Sequence, residues 1–173
     1  MKSSRAFTLI ELLIVIAIIG ILMSLLFPAV NAAIDSARKA QAKNDVTQIA
    51  TAVTAYETEY GKLPPTGTTV SGTLLQALVG VTTNGNPRKI VFIEVNAAKK
   101  GKSGTNSSGQ FVDPWGNSYK IALDDDYDNT IASAGNSPGQ TVASQLRKKV
   151  AVWNLSTNGN AAQQKRRGVS SWD

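Results

Sequence analysis

The chain has 173 residues, 18 lysines plus arginines against 12 aspartates plus glutamates, and neither cysteine nor histidine. That composition excludes a disulfide framework, thiolate or imidazole metal sites, a Ser-His-Asp triad and a histidine general base. The net charge of +6 falls by two to +4 without Lys2 and Arg5, which precede the first apolar run, and so small an excess suits a solvated surface better than a nucleic-acid groove.

That apolar run is the first predicted element. Phe7 to Phe27 are 21 residues with Glu11 as their only charge, and as a helix they reach about 31 Å, close to the hydrocarbon thickness of a bilayer. Lys2 and Arg5 before it predict a cytoplasmic N-terminus, with the rest of the chain on the far side. A cleaved secretory signal fits poorly, because the apolar core is too long and no small-x-small site ends it. Glu11 needs a reason to be there: at mid-span an acid costs about 2.5–3.5 kcal/mol, and less near an end.

Past Phe27 the helical period continues through Val30, Ala33, Ile34 and Ala37, so the run reads as half of a longer helix over 7–60. In residues 28–60, Ala42, Val46, Ile49, Val53, Tyr56 and Tyr60 form an apolar stripe of the kind that packs on a sheet. Gly61 followed by Pro64 and Pro65 predicts its end. Gly20 and Pro28 disfavour helix by about 1 and about 3 kcal/mol respectively. They allow two readings, a simple kink or a stretch that unwinds on demand.

Residues 61–173 read as a small α+β domain. A short helix is expected over 73–80 with Leu74, Leu75 and Leu78 inward, and short antiparallel strands over 90–95, 119–123 and 150–155. Residues 99–109 and 132–140 read as mobile surface loops. Asp124, Asp126 and Asp128 give the D-x-D-x-D opening of a calcium loop, but Asn129 and Gly135 hold the places where an EF-hand needs glycine and glutamate. A calcium site completed by other loop oxygens and a solvated acidic turn both remain open.

The segment "RAFTLIELLIVIAIIGILMSLLFP" resembles the N-terminal signal of type IV pilins and of the pseudopilins of type II secretion. "DPWGNSY" at 113–119 resembles the major pseudopilins' D-P-W-G-N-x-Y signature, and "VWNLSTNG" with "GVSSW" is similar to their closing strands. The resemblance covers most of the chain apart from 97–110 and 130–147. It implies a leader over 1–6 and a prepilin peptidase that cuts between Ala6 and Phe7 and methylates the new amine. Ala6 departs from the family's usual glycine.

The resemblance also implies an α+β fold with a long N-terminal helix and a single-pass protein of the bacterial inner membrane with its C-terminal domain in the periplasm. Copies would assemble there into a helical filament. Partners would be minor pseudopilins, the peptidase and an inner-membrane assembly platform. Glu11 would meet the Phe7 amine of a neighbouring subunit, and the Gly20–Pro28 stretch would melt on assembly. Family members bind calcium in the loop after "VWNL", but here Lys165, Arg166 and Arg167 replace the carboxylates, so that site is not carried over. No nucleophile with an activating base is present, so no enzyme is expected. The competing expectations are an external type IV pilus and a membrane-tethered module for calcium-dependent ligands or DNA.

Overall fold

A computed structural model describes residues 7–65, 67–132, 145–155, 157 and 160–172. Ala6, Gly135 and most of the expected 132–140 loop lie outside them. Helix α1 spans Leu9–Tyr60, 52 residues, and continues through Gly20 and Pro28 without interruption. The chain divides into two compact units, the first ending at Ala37 and the second spanning Arg38–Asp173.

In the first unit α1 exposes nearly every large side chain it carries from Leu9 to Ile34. In the second the predicted stripe is the core: Ala42, Val46, Ile49, Val53 and Tyr56 are buried and Tyr60 half-buried. Each aliphatic side chain removed from water there contributes about 1.5–3 kcal/mol. The helix stops where expected. Gly61 adopts the left-handed conformation, φ 66°, and donates to the Glu57 carbonyl at 2.8 Å, the hydrogen bond that closes such helix ends.

Helix α2, Gly72–Val79, buries Leu74, Leu75, Ala77 and Leu78 on the same core. The segment 90–95 does not pair as a strand. Phe92 and Ile93 donate instead to the Leu78 carbonyl at the end of α2, while buried Asn86 binds both backbone groups of Ile90. The segment still contributes to the core, with Ile93 buried and the Phe92 ring 5.4 Å from that of Tyr56, while Val91 is exposed. β propensity was read correctly as burial and wrongly as pairing.

Among the described residues, two short antiparallel pairs make up the sheet structure: β1 (Gly104–Thr105) with β2 (Phe111–Val112), and β3 (Tyr119–Leu123) with β4 (Val150–Asn154). The edges of the second pair are covered by residues 68–70, which the sequence did not present as a strand, and by "GVSSW", which resembles a closing strand. Val70 donates to Tyr119 and Ile121 to Thr68 on one side, and Ser171 donates to Val152 and Asn154 to Val169 on the other. Residues 99–109, expected to be a mobile loop, instead hold β1 and two hydrogen-bonded turns. Helix α3, Ala161–Arg167, was likewise unpredicted; its capping box pairs Asn160 with Gln163, a signal present in the sequence.

Candidate functional site

Four places carry chemistry. At the first, the start of α1, Thr8 Oγ1 accepts from the Glu11 N–H at 3.3 Å, while Glu11 Oε2 accepts from the Thr8 N–H at 2.8 Å and from Thr8 Oγ1 at 2.7 Å. This is a reciprocal capping box, in which Thr8 and Glu11 satisfy donors that the helix itself leaves open. Glu11 therefore has a partner within its own chain, a role the T-x-x-E spacing could have revealed. Phe7 stands just ahead of the helix with 76% of its surface exposed.

At the second, the acidic cluster, Asp124, Asp126 and Asp128 converge, each placing a carboxylate oxygen within 4.8 Å of the others. Buried Asp124 accepts from the N–H groups of Asp128 (3.1 Å) and Asn129 (2.9 Å). Asp128 accepts from Thr130 N–H and Oγ1, both at 2.7 Å, and these bonds hold its carboxyl below its ordinary range. Asn129 takes φ 64°, a left-handed conformation that asparagine tolerates. The donors are hard oxygens of the kind calcium takes, but three carboxylates supply only part of the six to eight it needs.

The third place is the "DPWGNSY" turn. Asp113, fully buried, accepts from the N–H groups of Trp115 (2.9 Å) and Asn117 (2.8 Å) through Oδ1 and from Asn154 Nδ2 (2.9 Å) through Oδ2. Asn154 Oδ1 in turn accepts from Val169 N–H at 3.0 Å. A buried carboxylate is tolerable only when its lone pairs are met, and here meeting them ties the turn to β4 and the closing segment. Trp115 packs in the core, with the Arg167 guanidinium 5.5 Å from its ring centroid. The motif is thus an internal clasp.

Fourth, Asp45 on α1 lies in the core and accepts from Tyr119 Oη at 2.8 Å. Burial raises the Asp45 carboxyl above its usual range, the Tyr119 bond opposes this, and the charge of Asp113 adds to the rise. Burial also raises Tyr119, so the phenol stays a donor. Nothing in the sequence marked this pair, whose members are 74 positions apart.

A family model described as the prokaryotic N-terminal methylation motif matches residues 1–27. A type II secretion system core protein G of Pseudomonas aeruginosa is 35% identical over 119 residues, 69% of this chain and 73% of that one. The chain belongs to the type IV pilin-like pseudopilins. A second core protein G, from Vibrio cholerae, is 26% identical over 155 residues, covering 90% of this pseudopilin and 95% of that protein. A fimbrial protein Q of Moraxella bovis is 31% identical over 164 residues, 94% and 91% of the two chains. No solved structure matches the pseudopilin. The methylation-motif match takes in Ala6, Phe7, Glu11 and Gly20, and stops one residue short of Pro28.

Proposed function

We propose that this pseudopilin is a non-enzymatic structural subunit of the type II secretion filament, held in the inner membrane by α1 and assembled in the periplasm. The observation that carries the proposal is the α1 surface. From Leu9 to Ile34 a helix of apolar side chains stands exposed, as befits a segment covered first by lipid and then by its own copies, where van der Waals packing holds apolar helices together. Gly20 supports the same reading: a Cβ there would meet nothing within 4 Å, so no contact inside this chain requires glycine.

In this account a prepilin peptidase cuts between Ala6 and Phe7 and methylates the Phe7 amine. Glu11 exchanges its Thr8 bonds for the amine of a neighbouring subunit, because an unpaired buried charge is penalised and the exchange sets the axial register. Minor pseudopilins and the assembly platform are the remaining partners. Glu11→Ala should leave insertion and cleavage intact and abolish filaments seen by electron microscopy of cells expressing the variant; abundant normal filaments would refute the register role. The fimbrial relative supports a pilus-like filament in general. Loss of exoprotein secretion on deletion, rather than loss of surface fibres, marks the secretion role.

Calcium at Asp124, Asp126 and Asp128 belongs to the same proposal, supported by the convergence of the three carboxylates. Calcium should raise the melting temperature of the wild type and not that of Asp126→Ala. An equal rise in both would remove the ion from this cluster.

A further inference from the structure

Within the unit Arg38–Asp173 charge is sorted to two ends. The register of β3 and β4 gives one ruler: Tyr119 faces Asn154 at one end and Leu123 faces Val150 at the other, four steps or about 13 Å away. Helix α1 gives a second. Asp45 binds Tyr119 and Glu57 binds Lys149, and the two are about 18 Å apart along the helix axis. Both rulers run the same way.

The Tyr119 end is basic. Ser103 donates to the Asp113 carbonyl at 3.1 Å, which fastens a hairpin there. Lys99 and Lys102 close it, each N–H donating to the other's carbonyl at 3.1 and 3.2 Å. Lys100 and Gly101 at its tip are left-handed, φ 53° and 70°, where asparagine or glycine is the ordinary first occupant, so a lysine is kept at a conformational cost. Asn154 Nδ2 donates to the Arg167 carbonyl at 3.2 Å and brings α3 to the same end, with Lys165 and Arg166 in its last turn. Lys99, Lys100, Lys102, Lys165 and Arg166 are exposed, and none forms an ion pair among the described residues. The acids at this end, Asp45 and Asp113, are buried and hydrogen-bonded in the core. Lys99 and Lys102 share a groove with Arg38, Gln41, Asn96 and Ser103, so its walls offer cationic, amide and hydroxyl donors.

The Leu123 end carries the acidic loop. Asp124 donates to the Lys149 carbonyl at 3.0 Å, and beyond it Asp125, Asp126 and Asp128 are exposed. Lys149 is engaged with Glu57. Arg147 and Lys148 precede it in the chain, but the loop 124–130 itself holds no base. Asp125 has neither hydrogen bond nor ion pair among the described residues. It also lies outside the three carboxylates proposed for calcium, so an ion and a partner are not in competition for it.

We propose that the groove of Lys99 and Lys102 receives the Asp125 loop of a second copy, head to tail. The inference rests on the reading of the chain as a filament subunit and adds a contact to it. Opposite charges held at opposite ends of one rigid unit cannot meet each other, whereas two copies in the same orientation bring them together, and two basic ends repel. Such a contact is heterologous, and unless its rotation closes a ring it propagates into a helical filament. Exposed ion pairs are individually weak and screened by salt. The contact therefore selects which faces meet, and the apolar α1 surfaces supply cohesion. A second copy is favoured over phosphate or lipid because every copy carries the complementary charge at the end a like-oriented neighbour presents.

The test uses the full chain in cells that assemble filaments. Having no cysteine, the chain carries only the thiols that are introduced. Lys99→Cys/Asp125→Cys in one chain, treated with a short bismaleimide, should give a ladder of multimers, while either single variant stays monomeric. Lys99→Glu/Lys102→Glu should lower filament yield several-fold with an unchanged melting temperature, and adding Asp125→Lys should restore it. Dimers from Lys99→Cys alone would mean that hairpin meets hairpin and would overturn the contact. A yield lost on charge reversal but not restored by Asp125→Lys, without a ladder, would make the occupant another anion. Normal filaments with neither ladder nor charge effect would overturn the contact and leave the filament reading standing, whereas absence of filaments from the unaltered chain would overturn both.

Discussion

Asp45 is the residue whose chemistry is most open to test. Its raised carboxyl pKa means that protonation favours the fold. This contribution is fully present below the ordinary value of 3.8 and is lost as pH rises through the folded value, so at neutral pH the core holds a desolvated charge. Asparagine keeps an acceptor for Tyr119 and removes the charge. Asp45→Asn should therefore raise the melting temperature at pH 7 by about 2–4 °C, the shift that about 1 kcal/mol gives in a chain of this size, with the gain shrinking below pH 4. A loss of stability at pH 7 would mean that the carboxylate itself is needed. Glu11 and Asp45 differ in how legible they were. The cap that Glu11 makes is written three residues away in Thr8, whereas the partner of Asp45 comes from a strand that only the tertiary fold brings near. The Asp113 clasp with Asn154 was hidden for the same reason.

At the scale of elements, periodicity was a good guide to α1 and to the pair β3 and β4, because their hydrophobic patterns coincide with their burial. It failed for 90–95, where Ile93 and Phe92 pack on the core but the backbone bonds run to α2. It also failed for α3, whose exposed surface offers no apolar stripe and whose start is marked by the Asn160 cap alone. Gly20 and Pro28 remain the informative irregularities of α1, since helix persists through both in the single chain. Gly20→Ala removes a helix penalty of about 1 kcal/mol. It should increase helical content of the detergent-solubilised subunit, measured by circular dichroism, yet reduce filament yield. Undiminished filaments would show that neither close packing nor melting needs a glycine there.

For the whole molecule, the first unit is built to be covered by something else and the second to stand in water. The family signature in the second unit holds structure together, the buried clasp around Asp113 being its work. On the proposed function, the chemistry that makes a filament subunit lies in the first dozen residues, within the stretch that the methylation-motif family model matches, since a processing signal must be read along the chain rather than across a fold. The central claim is that the working protein begins at Phe7. Intact-mass and peptide mass spectrometry of the protein from its native membrane measure this most directly. A chain starting at N-methylated Phe7 is the predicted result, and a mature chain that retains Met1 to Ala6 would contradict it.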